Sequence, residues 1–144
     1  MTKAWESDFP DLKPTDWAET SPATRAYNCF AWAAGDTSRR WEPDPWMQWY
    51  WPASVPRRYS LDAFVKAYES IGYTSCSDVS LEAGFQKIAL YADIAGFPTH
   101  AALQLPDGQW SSKLGHAEDI THRTLACLSR SPYGQPVRFL KKKV

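Results

Sequence analysis

Apolar residues recur at helical spacing most clearly in "SLDAFVKAYESIG", residues 60–72, where Leu61, Phe64, Val65, Tyr68 and Ile71 share one face. Ser60 is placed to cap that helix, Asp62 suits its first turn, and Gly72 ends it. "RAYNCFAWAAGD", residues 25–36, predicts a shorter helix that opens at Cys29 behind the cap Asn28 and stops at Gly35 and Asp36. Ser21 and Pro22 in "SPATRA" form a helix-start signature ahead of it. The period then shortens. "FQKIALYAD", residues 85–93, is rich in strand formers. "THAALQL", residues 99–105, places His100, Ala102 and Gln104 on one face and Ala101, Leu103 and Leu105 on the other. "PDG", residues 106–108, predicts a turn, with "QWSSKL", residues 109–114, returning as a hairpin. "PVRFL", residues 136–140, reads as a last strand, and "EDITHRTLACLS", residues 118–129, as a helix or a turn plus a helix. A helical first half followed by an antiparallel sheet is an α+β arrangement.

A length of 144 residues suits one domain, 1–144, with an irregular arm over 1–20 and a basic tail over 141–144. Trp5, Phe9 and Trp17 are the residues expected to pin the arm. Residues 41–52, "WEPDPWMQWYWP", carry Trp41, Trp46, Trp49 and Trp51 among three prolines, which forbid a long helix or a central strand and predict a loop. At least two of these rings are expected to replace missing secondary structure by packing on the core.

The 16 basic residues balance the 16 acidic ones, which argues against an electrostatic nucleic-acid partner. No run approaches a membrane span, and the N-terminus lacks the apolar stretch of a secretory signal. A cytoplasmic protein with no membrane partner is the expectation. Three cysteines are too few and too odd in number for a disulfide framework, and no pair has zinc-knuckle spacing.

That leaves packing or chemistry for each thiol. Cys29 stands where a helix N-terminus favours the thiolate. His100, opening a strand after "GFPT", is the best base among the three histidines, and the small Ala102 beside it leaves room for a neighbouring helix. The returning hairpin strand supplies an orienter: Ser112 first, level with Ala101, with Ser111 or Lys113 one residue out of register. Asp119 is the competing orienter. Trp46, Trp49, Tyr50 and Asn28 are the candidate substrate contacts, and Lys113 would stand at the cleft mouth or be solvated. His116 and His122 read as surface histidines, and Cys127, between Leu125 and Leu128, as core. Cys76 has no base near it in the chain.

A cysteine opening a helix, a histidine starting a strand and a polar residue on the next strand, over residues 20–115, resembles the NlpC-type and CHAP-type branch of the papain-like cysteine hydrolases. Where those enzymes carry an acidic and a small residue around the cysteine, this chain has "NCFA". The chain is also similar, over nearly its whole length, to uncharacterised bacterial domains with "YNCxAWAAGD", "YWP", "THAA" and "SSKLG" elements. The first resemblance implies a papain-like core, with the Cys29 helix on a small antiparallel sheet. It implies a thiol-dependent peptidase, amidase or acyl transferase, in which Cys29 is nucleophile, His100 base and Ser112 orienter. Its substrate would be a peptide, a protein or a peptidoglycan-like molecule, and the chemistry needs no cofactor. The alternative is a catalytically degenerate papain-like fold serving as a binding module, or as a toxin or defence effector.

Overall fold

A computed structural model describes residues 3–144. The first two residues of the expected arm lie outside the described residues. The protein is α+β, built on one seven-stranded antiparallel sheet. In chain order the elements are β1 (Trp17–Ser21), α1 (Cys29–Ala33), α2 (Leu61–Glu69), β2 (Thr74–Cys76), β3 (Phe85–Ala92), β4 (Pro98–Gln104), β5 (Trp110–Lys113), β6 (Asp119–His122) and β7 (Gln135–Lys143). Single 3-10 turns fall at Ala4–Asp8, Pro14–Asp16 and Leu125–Leu128. Spatial order is β1-β6-β5-β4-β3-β7-β2. The strands expected at 85–93, 99–105 and 109–114 form its middle, the one expected at 136–140 lies within β7, and β1, β2 and β6 complete it.

Both faces of the sheet are covered. On one face, α1, α2 and the tryptophan loop pack over Ile88, Leu90, Ala101 and Leu140. On the other, the N-terminal arm and the Leu125–Leu128 turn cover Ala89, Tyr91, Ala102, Trp110 and Ile120. Double cover explains why "IALYA" in β3 is apolar at every position instead of alternating. In β4 the alternation survives as read, because Ala101 faces the helices while His100 and Ala102 face the arm side.

The local signals act as expected at both helices. Ser60 Oγ accepts the Ala63 N–H at the start of α2. α1 ends in a Schellman arrangement: Gly35 N–H donates to Trp32 O and Asp36 N–H to Ala31 O, with Gly35 at φ 81°. Asn28 Oδ1 accepts the Ala31 N–H at 3.0 Å and the Trp41 N–H at 3.1 Å, and its amide donates to Trp41 O at 2.7 Å. One side chain thus caps α1, a contribution of about 1 kcal/mol, and clamps the tryptophan loop. Trp41 and Trp51 are buried, while Trp46 and Trp49 stay exposed.

Other readings need correction. Residues 118–129 begin as strand β6, because Asp119–His122 pairs both β5 and β1. The arm contributes β1, which only a partner remote in the chain could reveal. Lys141–Lys143 belong to β7, paired with β3, and not to a solvated tail. Among the described residues no helix is long and apolar enough to cross a membrane.

Candidate functional site

Cys29 is the first residue of α1 and lies against β4. The backbone amides of Ala101, the residue after His100, of Phe30 and of Cys29 itself lie near enough to favour the charged sulfur. The Arg40 charge acts in the same direction. Burial is the larger effect, and the thiol is pushed up to about 12. The expected lowering by the helix start is overturned. A five-residue helix with a buried first turn does not offset the loss of solvent around a charge.

Cys29 lines a cavity of about 190 Å³ with Asn28, Arg40, Glu42, Thr99, Gly115, His116 and Tyr133. Arg40 is held at the rim by Glu42 at 2.8 Å and touches His116 Nε2 at 3.1 Å. A larger cavity, about 710 Å³, lies between residues 81–86, 104–106 and Val144 and shares no lining residue with that of Cys29.

His100 leaves β4 on the face opposite α1. Its Nε2 lies 2.9 Å from Ser112 Oγ, and Ser112 Oγ lies 2.8 Å from His122 Nε2. His122 Nδ1 is 2.9 Å from the Thr124 carbonyl oxygen. None of the three side chains is exposed to solvent. Their alignment follows from strand register. Leu103 pairs Ser111 and Gln104 pairs Trp110, so Ser112 comes opposite Ala102, one residue from the expected register and on the His100 face. Ser112 also pairs Ile120, whose face His122 shares. The polar series therefore runs diagonally across β4, β5 and β6. Burial holds the imidazole of His100 well below its ordinary value and that of His122 down to about 4. His100 Nδ1 is buried and has no hydrogen-bond partner.

Tyr133 closes this side. Its ring stacks on His100 with centroids 4.0 Å apart and planes 7° apart. Thr99 Oγ1 donates to its carbonyl oxygen. Gly134 makes that placement feasible: at φ 77°, a Cβ there would collide with the Ala92 carbonyl.

Several candidates are placed elsewhere. Asp119 accepts the Tyr27 hydroxyl at 2.5 Å on the helix-side face, and not His100. Lys113, also on that face, is fully buried, with its ammonium bonded to the Ala117 carbonyl and 5.5 Å from the Tyr27 ring centroid; it is not at a cleft mouth. Asn28 touches the cavity, but its polar atoms are committed to the cap and the clamp. Trp46, Trp49 and Tyr50 do not line the cavity. Trp49 reaches it only through Arg40, which lies 5.1 Å from the Trp49 ring centroid, and Arg39 covers Tyr50. Ala102 makes no room for α1, which packs on the Ala101 face. His122 is buried and bonded, not a surface residue, whereas His116 is exposed. Nothing local in "DITHRT" distinguishes His122; reading it as a strand would have put it on the Ser112 face. Among the described residues no group of three or more His, Cys, Asp or Glu side chains is arranged to hold a metal ion.

The chain is thus an α+β protein with a buried thiol beside one strand and a His-Ser-His series on the other face of that strand. It belongs to the family described as Domain of unknown function (DUF7689), whose model matches residues 18–141. Comparison with curated proteins and with solved structures returned no match.

Proposed function

We propose that the protein is a papain-like, NlpC-type thiol hydrolase or acyl transferase acting on an amide or ester bond. The observation that carries this reading is the state of His100. Ser112 holds one ring nitrogen, and the other is left buried and unpartnered one residue from Ala101, on the strand against which the Cys29 helix packs. A general base needs an oriented ring and a free nitrogen. No hydrogen bond joins Cys29 to His100, which lie on opposite faces of β4; the reading requires them to meet past the end of the strand, where Tyr133 stacks on the imidazole and lines the Cys29 cavity.

Burial keeps both groups neutral at rest. In the reaction, once the two groups meet past the end of β4 beside Tyr133, the Cys29 thiol gives its proton to His100 Nδ1 as the sulfur bonds the carbonyl carbon. The backbone N–H of Cys29 helps to hold the oxyanion. His100 returns the proton to the leaving group, whose bond to the carbonyl breaks. A water, deprotonated by His100, then cleaves the thioester and regenerates the thiol. Peptide, protein or peptidoglycan-like acyl groups are the substrate classes, with Arg40 and Glu42 at the cavity rim as polar contacts.

The test uses two small probes. Nitrophenyl acetate should acetylate Cys29, detected by mass, with release of nitrophenol. Iodoacetamide should alkylate Cys29 at pH 7.5 at least about tenfold more slowly in His100→Ala, with Cys76 unchanged. Cys29 chemistry indifferent to His100 would overturn the enzyme. That result would favour a binding module, the reading to which the raised thiol value already lends weight.

A further inference from the structure

We infer that His122 is a positioning residue that sets the tautomer of His100 through the Ser112 hydroxyl. The inference rests on the reading of His100 as the base.

The direction of every hydrogen in the series follows from its last member. The Thr124 carbonyl oxygen only accepts, so His122 Nδ1, 2.9 Å away, carries a hydrogen. A neutral imidazole has one N–H, so His122 Nε2 is an acceptor. Burial favours that neutral form, since it holds His122 down to about 4. Ser112 must then spend its single hydrogen on His122 Nε2 at 2.8 Å. What remains on Ser112 is lone pairs, so the 2.9 Å contact to His100 is a donation from His100 Nε2–H. His100 Nδ1 is left as a bare lone pair, the form that accepts a proton from a thiol. A backbone carbonyl beyond β6 thus dictates which nitrogen of a β4 side chain is basic.

Purely structural use of the series is harder to reconcile with its far end. Buried polar networks in a core are ordinarily satisfied at both ends. This one ends in a buried nitrogen without a partner. Without His122 the Ser112 hydroxyl is free to turn and donate to His100 Nε2. The ring then adopts the Nδ1–H tautomer, which has nothing to offer a thiol.

The test reads the tautomer directly, by nitrogen NMR on histidine-labelled protein at pH 7.5. Wild type is expected to show His100 protonated at Nε2 and bare at Nδ1. His122→Gln keeps an acceptor for Ser112 and should keep that pattern, with Cys29 alkylation within about threefold of wild type. His122→Phe should move His100 toward the Nδ1–H form and slow alkylation at least about tenfold. An Nδ1–H tautomer in wild type overturns the inference, as does an unchanged tautomer in folded His122→Phe. Should His122→Phe not fold, the wild-type tautomer and the behaviour of His122→Gln decide: loss of the Nε2–H pattern in the glutamine variant also overturns it. If the tautomers respond as expected while alkylation ignores His100, the series stands and the hydrolase reading falls.

Discussion

Tyr133 roofs the His100 imidazole, ring on ring at 4.0 Å, and the same residue lines the Cys29 cavity. It therefore borders both halves of the site. Tyr133→Phe keeps the stack and should change stability by no more than about 1 kcal/mol. Tyr133→Ala should cost about 2–3 kcal/mol. It should also admit water to His100, whose depressed value comes first from burial, so the imidazole should titrate closer to 6.5. An NMR titration of His100 in the alanine variant checks this. An unmoved value would mean that the stack is not what keeps the ring dry.

Acid should destabilise the protein earlier than its carboxylates would. His122 titrates at about 4 in the native state and near 6.5 unfolded. Between those values the unfolded chain binds more protons, so native stability falls as pH falls. For His122 alone the loss is about 3 kcal/mol, complete near pH 4. His100, lowered for the same reason, adds to the slope below pH 6.5. Urea midpoints at pH 7, 5.5 and 4.5 should drop steeply in wild type and less steeply in His122→Gln. Parallel curves would show that His122 is not buried neutral.

Ser112 and Asp119 separate cleanly as orienter and scaffold. Ser112→Ala removes the hydroxyl that meets His100 Nε2 and should slow Cys29 alkylation more than Asp119→Ala does. Asp119→Ala instead leaves the Tyr27 hydroxyl without its acceptor, at a cost of about 1–3 kcal/mol in the folding equilibrium. Paired alkylation and denaturation measurements decide. The reverse ranking would return the orienting role to Asp119.

Within the tryptophan loop the rings divide between core and surface. Trp51 is 4% exposed and donates to the Pro56 carbonyl, so Trp51→Ala should cost about 3–5 kcal/mol. Trp46 is 84% exposed, and Trp46→Ser should change stability by less than about 0.5 kcal/mol. If Trp46 contacts an extended acyl substrate, that variant should raise KM for a peptide-length substrate and spare kcat. Thermal unfolding of both variants tests the first contrast, and KM against kcat the second.

The chain alone determined what depends on near neighbours. Ser60 and Asn28 cap because a short polar side chain reaches amides three residues ahead. Gly35 ends α1 because φ 81° is cheap only for glycine. Alternation placed His100, Ala102 and Gln104 on one face of β4, but the register of Ser112 was legible only to within one residue: level with Ala101 it would face the helices, and the fold sets it opposite Ala102, on the His100 face. Tertiary structure decided whatever needs a remote partner. β1 exists because Trp17–Ser21 finds β6, and β7 draws in Lys141–Lys143 because β3 needs an outer neighbour. His122 joins Ser112 only once residues 119–122 are a strand, and Tyr133 covers His100 from a separate loop. Cys29 gives the clearest case. Its place at a helix start was legible and argued for a thiolate, but its protonation depends on how much water the folded chain leaves around the sulfur. Burial under the assembled site removes that water, and desolvating a charge outweighs the first turn of a five-residue helix.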